Sequence, residues 1–370
     1  MEISVACADL KKGLQQVINV IPSKTTVPIL SHILFEAKNE QLSLCATDLE
    51  ISLKNSVSAK VVSEGDITVQ GRLLFDVVRE LPDIPLSISV SEGNRLIVKS
   101  SRGKYTFFGE DPKDFPQLPT IDVKHEITFR RDLLKRYIER TAFAVSTDEL
   151  RAALMGVLFQ VRKNELCAVA TDGHRLVRII NKDFSGPDGV DDVIVPLKAL
   201  NLLLKNLDEE GDIKISFAHN YITFDLDDAA INATLIDAKY PEYEKVIPVD
   251  NEKKLVIKRE EFISALRTIS VLANRITQQI KIQLKPNGIT LVSQDMDRGE
   301  GEETVGAEYT GEEMEIGFNS NYLLDILRHI DTDEVVFRFG SPTSASLAFP
   351  NDQEENEDIL MLVMPIKLRD

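Results

Sequence analysis

The chain has 370 residues, 43% of them hydrophobic and 28% charged, with a formal net charge of -17. No stretch approaches the roughly 20 apolar residues of a membrane span, and the N-terminus lacks the basic-then-apolar pattern of a secretory signal. Its three cysteines, Cys7, Cys45 and Cys167, have no metal-like spacing and cannot all pair, which points to a cytoplasmic protein whose thiols are small buried apolar groups.

In chain order, Leu10, Leu14, Val17, Ile18 and Ile21 follow the i, i+4, i+7, i+8, i+11 spacing of an amphipathic helix. Period-two alternation over 33–37, 41–45, 67–69, 86–90 and 95–98 predicts strands, with the polar turn Ala46-Thr47-Asp48-Leu49-Glu50 after the second. A second helix is predicted from Leu74, Val77, Val78 and Leu81. The pattern then recurs. Displaced by 124, the first stripe becomes Leu134, Ile138, Thr141, Ala142 and Val145, and the turn becomes Ala170-Thr171-Asp172-Gly173-His174. Displaced by 126, the second becomes Leu200, Leu203, Leu204 and Leu207. A third copy follows with Phe262, Leu266, Ile269, Ser270 and Ala273, then Leu323, Ile326, Leu327 and Ile330.

Repeats of about 120 residues are too long for a solenoid, so each is expected to own a core. The predicted fold is α+β, with three repeated domains, each of two helices on antiparallel sheet. Boundaries are expected at 1–122, 123–250 and 251–370, because the proline-containing stretches Asp114-Phe115-Pro116 and Tyr240-Pro241-Glu242-Tyr243 precede the joints near Asp122 and Asp250.

The negative net charge argues against a nucleic-acid partner, but its distribution weakens that objection. Acid is expected mainly in turns and loops such as Glu300-Gly301-Glu302-Glu303 and 352–358, whereas the predicted helices carry base opposite their apolar stripes. The first-helix set is Lys11 and Lys12, then Lys135, Arg136 and Arg140, then Arg267. The second-helix set is Arg72 and Arg79, then Lys198 and Lys205, then Arg328. Any one such base is normally a solvated surface charge. Were the repeats to close into a ring with helices inward, the set would line a channel, where field focusing lets local charge act despite the global sign. Phosphate contacts carry no base information, so duplex DNA would be held without being fixed in place. Single-strand binding fits less well, since the chain has no Trp and few aromatics at polar positions.

An enzymatic reading rests on Asp172 and His174 with Thr171 beside them. The first repeat has Glu50 at the histidine position and the third reads Ser293-Gln294-Asp295-Met296, so a structural turn is the simpler account. No phosphate loop, dinucleotide fingerprint or HExxH pair occurs, and Asp295, Asp297 and Gly299 miss the spacing of a calcium loop. No catalytic residue, metal or cofactor is expected.

Several ordered blocks resemble the bacterial DNA sliding clamps, the beta subunits of DNA polymerase III. They are Val27-Pro28-Ile29-Leu30, Ala46-Thr47-Asp48-Leu49-Glu50, Asp114-Phe115-Pro116, Phe143-Ala144-Val145-Ser146, Gly156-Val157-Leu158-Phe159, Ala170-Thr171-Asp172-Gly173-His174-Arg175-Leu176, Tyr240-Pro241-Glu242-Tyr243, Glu315-Ile316-Gly317-Phe318-Asn319 and Val363-Met364-Pro365-Ile366-Lys367-Leu368. The resemblance spans essentially the whole chain. It implies a non-catalytic processivity factor: a head-to-tail homodimeric ring around double-stranded DNA, placed by a clamp loader complex and bound by the polymerase catalytic subunit and other clamp-binding-motif proteins.

The resemblance also implies site residues. A partner-peptide pocket would be walled by Leu154, Thr171, Gly173, His174, Arg175, Leu176, Pro241, Lys245, Val246, Leu362, Val363, Met364, Pro365, Ile366, Lys367 and Leu368. Lys24 and Arg151 join the helix bases as DNA contacts. The dimer edge runs through Tyr105, Thr106, Phe107 and Phe108 to Val271 and Leu272. Two departures bear on the peptide end: Lys245 replaces a frequent arginine, and Arg369 and Asp370 extend past the usual terminal leucine.

Overall fold

Three successive copies of one element order make up the chain. The structure, a computed structural model, describes residues 1–208 and 210–368; Arg369 and Asp370 lie outside the described residues. The first copy carries helices α1 (Cys7–Val17) and α2 (Gly71–Glu80), the second α3 (Arg131–Ala142) and α4 (Leu197–Asn206), the third α5 (Arg259–Ser270) and α6 (Ser320–Arg328). Every other regular element is a strand or a short 3-10 turn, and every strand pairing is antiparallel. The α+β expectation holds.

The stripes that predicted the helices are their buried faces. Leu10, Leu14 and Val17, Leu134, Ile138 and Thr141, and Phe262, Leu266 and Ile269 are all buried. At the i+8 position Ile18, Ala142 and Ser270 are only half-buried, so the buried seam is narrower than the five-residue pattern. Gly13 lets α1 lie close on the strand Ile51–Ser58, since a Cβ there would stand 2.5 Å from Val57 Cγ2. The second-helix stripes behave alike, with Leu74 and Val78, Leu200 and Leu203, and Leu323, Ile326 and Leu327 buried.

Packing divides the chain differently from the repeat. One compact unit comprises 1–135 and 198–235, the other 136–197 and 236–370, so residues of the central repeat enter both. Strand pairing is the cause. In the first unit Ala229–Thr234 pairs with Ile51–Ser58, with Asn55 opposite Ala229, and a 13-stranded sheet runs through the join. In the second, Arg175–Asn181 pairs with Glu357–Val363, with Arg175 opposite Val363, in a 12-stranded sheet.

Each sheet also has a stretch paired on one side only. In the strand Lys104–Glu110, residues 104–108 pair with Arg95–Lys99, and only Gly109 and Glu110 reach Val69 and Thr68. In Gly299–Thr310, residues 299–306 pair with Gly288–Asp295, and 307–310 turn to Lys253–Lys258. The second case corrects the sequence reading. Glu300-Gly301-Glu302-Glu303 is not a loop but part of this strand, where one-sided pairing leaves the acids in water and offsets their poor strand propensity.

Candidate functional site

The turn after the strand Glu165–Thr171 organises the largest group of predicted site residues. Thr171 Oγ1 accepts the Gly173 amide at 3.0 Å and donates to the Arg175 carbonyl at 2.7 Å. Asp172 Oδ1 accepts the amides of His174 and Arg175 at 2.8 and 3.0 Å. Gly173 has φ 90, the left-handed region that glycine enters without penalty. These bonds consume Thr171 and half of Asp172 in shaping the turn, which leaves no nucleophile and base pair.

Arg175 is the keystone of the turn. Its Nε donates to Asp172 Oδ2 at 3.0 Å, Nη1 to Asp325 Oδ2 at 2.5 Å, and Nη2 to the Phe143 carbonyl at 2.7 Å. The guanidinium lies between two rings, with its carbon 4.8 Å from the Tyr322 centroid and 5.3 Å from that of Phe143. His174 stacks on Tyr322 at 6.0 Å, and His329 stacks on Phe143 at 4.1 Å. The result is a column, His174, Tyr322, Arg175, Phe143, His329. Burial and the Asp172 charge raise the Tyr322 phenol pKa, against the lowering effect of Arg175.

The C-terminal segment lies along this turn. Met364 N donates to the His174 carbonyl at 2.8 Å, and Ile366 N donates to the Gly317 carbonyl at 2.8 Å. Gly317 is needed for that approach, since a Cβ there would sit 2.5 Å from the Ile366 oxygen. Leu154, Leu176, Leu360, Leu362, Tyr240 and Tyr243 form one buried apolar cluster beneath. Met364 is 39% exposed, and Gly173, His174, Pro241, Val246 and Lys367 are exposed. Pro365, Ile366 and Leu368 are half-buried. Exposed Lys245 is ion-paired with Glu242, and Leu362 and Val363 are buried as the end of the last strand. Leu176 and Leu362 thus belong to the apolar bed, while His174 and Met364 meet at its surface through the Met364 amide.

Arg151 also belongs to this turn. Its Nη1 donates to the Asp172 carbonyl at 2.8 Å and its Nε to Asp148 at 2.9 Å, so the side chain lies over Gly173. Two buried polar groups nearby make no free acid or nucleophile: burial pushes the Cys167 thiol up to about 12 and raises the Tyr243 phenol.

The predicted DNA-facing bases divide into two kinds. Lys12, Lys24, Arg72, Arg79, Lys198, Lys205, Arg267 and Arg328 are exposed, and Lys11 and Lys135 are half-exposed. Lys12 pairs with Asp228 at 3.1 Å, and Lys198 pairs with Asp48. Arg140 corrects the expectation of a solvated helix face. It is 8% exposed and bonded to Asp331 and Glu357, because α3 packs against the start of the last strand. Arg136 beside it is half-buried on Glu357 and Glu354. Sequence periodicity places a base off the apolar stripe but does not reveal a buried acid opposite it.

At the open edge, Phe107 is 6% exposed and faces the core, whereas Phe108 is 74% exposed. The alternation of side chains along the strand turns Phe107 to the helix side of the sheet and Phe108 to the opposite, outward side. Tyr105 is half-buried, Val271 exposed and Leu272 half-buried. Ile276 and Met296, which the sequence reading did not single out, are fully exposed in the same unit as Val271.

No helix among the described residues is long and apolar enough to cross a membrane. Among them, no cluster of three or more His, Cys, Asp or Glu side chains could hold a metal ion.

Family profiles match in three consecutive parts: the N-terminal domain of the DNA polymerase III beta subunit at 1–119, its central domain at 128–242 and its C-terminal domain at 244–367. The chain belongs to the DNA polymerase III beta subunit family. It is 33% identical over 372 residues to the beta sliding clamp of Pseudomonas aeruginosa and 30% identical over 370 residues to that of Chlamydia muridarum, covering all of both chains. A solved structure of the Bartonella birtlesii sliding clamp bound to griselimycin aligns with TM-score 0.95 at 34% identity, also over all of both chains. The family's members are non-catalytic sliding clamps of DNA replication, and this chain is a clamp that binds DNA and polymerase.

Proposed function

We infer that two copies of this chain close head to tail into a ring around duplex DNA, with domains 1–122, 123–250 and 251–370 from each. The apolar groove beside His174 and Met364 is the docking site for short peptides of the polymerase, the clamp loader and other clamp-binding proteins. The observation that carries the docking site is the joining of the Gly173-His174 turn to the C-terminal segment over an apolar bed. A peptide with leucine and phenylalanine anchors suits such a groove, at modest affinity that permits exchange between partners. The Bartonella clamp's complex with griselimycin supports a ligand groove in the family.

The two half-paired strands favour closure by edge pairing. One stretch carries Lys104 with Arg95 and Lys99 beside it, and the other carries Glu300, Glu302 and Glu303, so the edges are complementary in charge. With Phe108, Val271, Leu272 and Ile276 they offer an apolar centre within a charged rim. Exposed bases of α1, α2, α4, α5 and α6 hold phosphate without reading sequence, and the protein works in the cytoplasm. Two experiments test this reading. Sedimentation should give about 83 kDa, twice the 41.4 kDa of one chain. Protein loaded on circular duplex should be retained and then lost on linearisation; equal loss from both forms would refute encirclement.

A further inference from the structure

An open polar hollow of about 650 Å³ lies in the first compact unit, bordered by α1, by the end of α4 and by the hairpin turn between Tyr221–Asp225 and Ala229–Thr234. Gln16, Asp208 and Asp227 are among the residues that line it. The repeat identifies what stands in these three places in the second unit. Displaced by 124, Gln16 becomes Arg140 of α3, and displaced by 123, Asp208 becomes Asp331 after α6. Ile51 pairs with Ala233 as its counterpart Arg175 pairs with Val363, and counting back from those two partners gives Asp227 the place of Glu357.

In the second unit the three residues are joined, because Arg140 bonds Asp331 and reaches Glu357 at 3.5 Å. The first unit keeps both acids and lacks the cation. Gln16 Oε1 instead accepts from the buried Asn55 Nδ2 at 2.8 Å, and Asp208 and Asp227 are exposed. Asp227 already takes Arg131 Nη2 at 2.5 Å. Its counterpart Glu357 serves Arg136 and Arg140 together, so one carboxylate at this place can hold two guanidinium groups. Helix polarity favours the same sign of ligand. α1 ends at Val17 and α4 at Asn206, so both bring their negative carbonyl ends to the hollow. Lys12, which also lines it, is taken by Asp228 at 3.1 Å.

We propose that this hollow binds a small guanidinium compound of arginine's size, whose guanidinium sits on Asp208 and Asp227 where the second unit uses its own Arg140. The volume falls within the range of about 300–1,000 Å³ typical of small-molecule sites. A planar guanidinium offers paired N–H donors to two carboxylates at once, whereas an ammonium acts as a point charge, so the site prefers arginine to lysine. All of these residues belong to one chain, and the site is independent of the ring reading.

The test is calorimetric titration of the full-length chain with L-arginine at low, constant ionic strength. A dissociation constant of about 1 mM is expected, the strength of a few charge-assisted bonds at an exposed site. L-citrulline, a neutral urea of the same shape, should bind at least about tenfold more weakly. Two variants locate the site. Asp208→Asn removes one carboxylate at an exposed position that the fold tolerates, and Gln16→Arg supplies the cation from the chain itself. Each should weaken arginine binding by at least about tenfold. Absence of binding to the wild-type chain well above that constant would overturn the inference. So would equal binding of citrulline, or undiminished binding of arginine by either variant.

Discussion

The turns after Ala46 and Ala170 begin with the same residues and are bonded alike, yet only the second is joined by the C-terminal segment, through Met364 N on the His174 carbonyl. Thr47 Oγ1 accepts from Leu49 N and donates to the Ile51 carbonyl, and Asp48 Oδ1 accepts from Glu50 and Ile51, bond for bond as in the second turn. The difference lies at the third to fifth positions. Leu49 sits at φ 81 where Gly173 sits at φ 90, and it projects into solvent, 62% exposed. Glu50 and Ile51 stand where the second turn has His174 and Arg175. The hollow beside the first turn is only about 50 Å³ and is lined by Pro116, Gln117, Leu118 and Pro119 of its own unit. A shared hydrogen-bond scaffold thus sets the backbone, and three side chains with an adjoining tail decide whether it becomes a site.

The largest effect is expected at Arg175. Arg175→Ala would leave the Asp172 and Asp325 carboxylates without their cation and break the aromatic column, a loss of about 3 kcal/mol in urea unfolding. Glu50→Ala, at the matched turn, should stay within about 0.5 kcal/mol. Equal losses at both sites would erase the proposed distinction.

Next comes removal of 364–370, which spares the buried Leu362 and Val363. Binding of a fluorescent leucine- and phenylalanine-containing peptide should weaken by about 2 kcal/mol, roughly 30-fold, with the sedimentation of the protein unchanged. Unchanged affinity would sink the assignment of the groove.

Backbone strain gives a smaller, opposite-signed pair. Gly173→Ala should cost about 1 kcal/mol, since it forces a Cβ into the left-handed region 2.8 Å from Arg151 Nη1. Leu49→Gly relieves the same strain and should gain up to about 1 kcal/mol, offset in part by unfolded-chain entropy. Thermal unfolding of the two variants would show whether the backbone demand is indeed shared.

The finest probe is thiol chemistry in the strands leading into the turns. Burial pushes both Cys45 and Cys167 up to about 12 from an ordinary 9.0. At pH 8 the native thiolate fraction is therefore on the order of one in ten thousand, and alkylation should be slow at both. Native thiols retain protons that unfolded thiols release above about 9, so this burial lowers stability as pH rises from about 9 towards 12. Arg175→Ala should accelerate modification of Cys167 and leave Cys45 unchanged.

Much of the architecture was legible as periodicity. The stripes beginning at Leu10, Leu134 and Phe262 identify helices because a helix returns a side chain to one face every three to four residues, and their recurrence reveals the repeat. The turn at Thr171 was legible as a structural motif, since Thr and Asp bond locally. Arg140 was not legible as a buried cation, because its acids Asp331 and Glu357 lie far along the chain. Nor was Phe108 distinguishable from Phe107, since one residue of register decides which aromatic faces out.

By itself, then, the sequence determined the three-fold repeat, the helices, the class of fold and the family, all of which rest on local spacing or on ordered blocks of residues. Tertiary structure decided the pairing of Arg175–Asn181 with Glu357–Val363, the support of Arg175 by Asp325 and Phe143, and the laying of Met364 against His174. It also decided which helix bases are held by acids. These depend on groups brought together from distant parts of the chain, and spacing along a sequence carries no record of the partner across a packed interface.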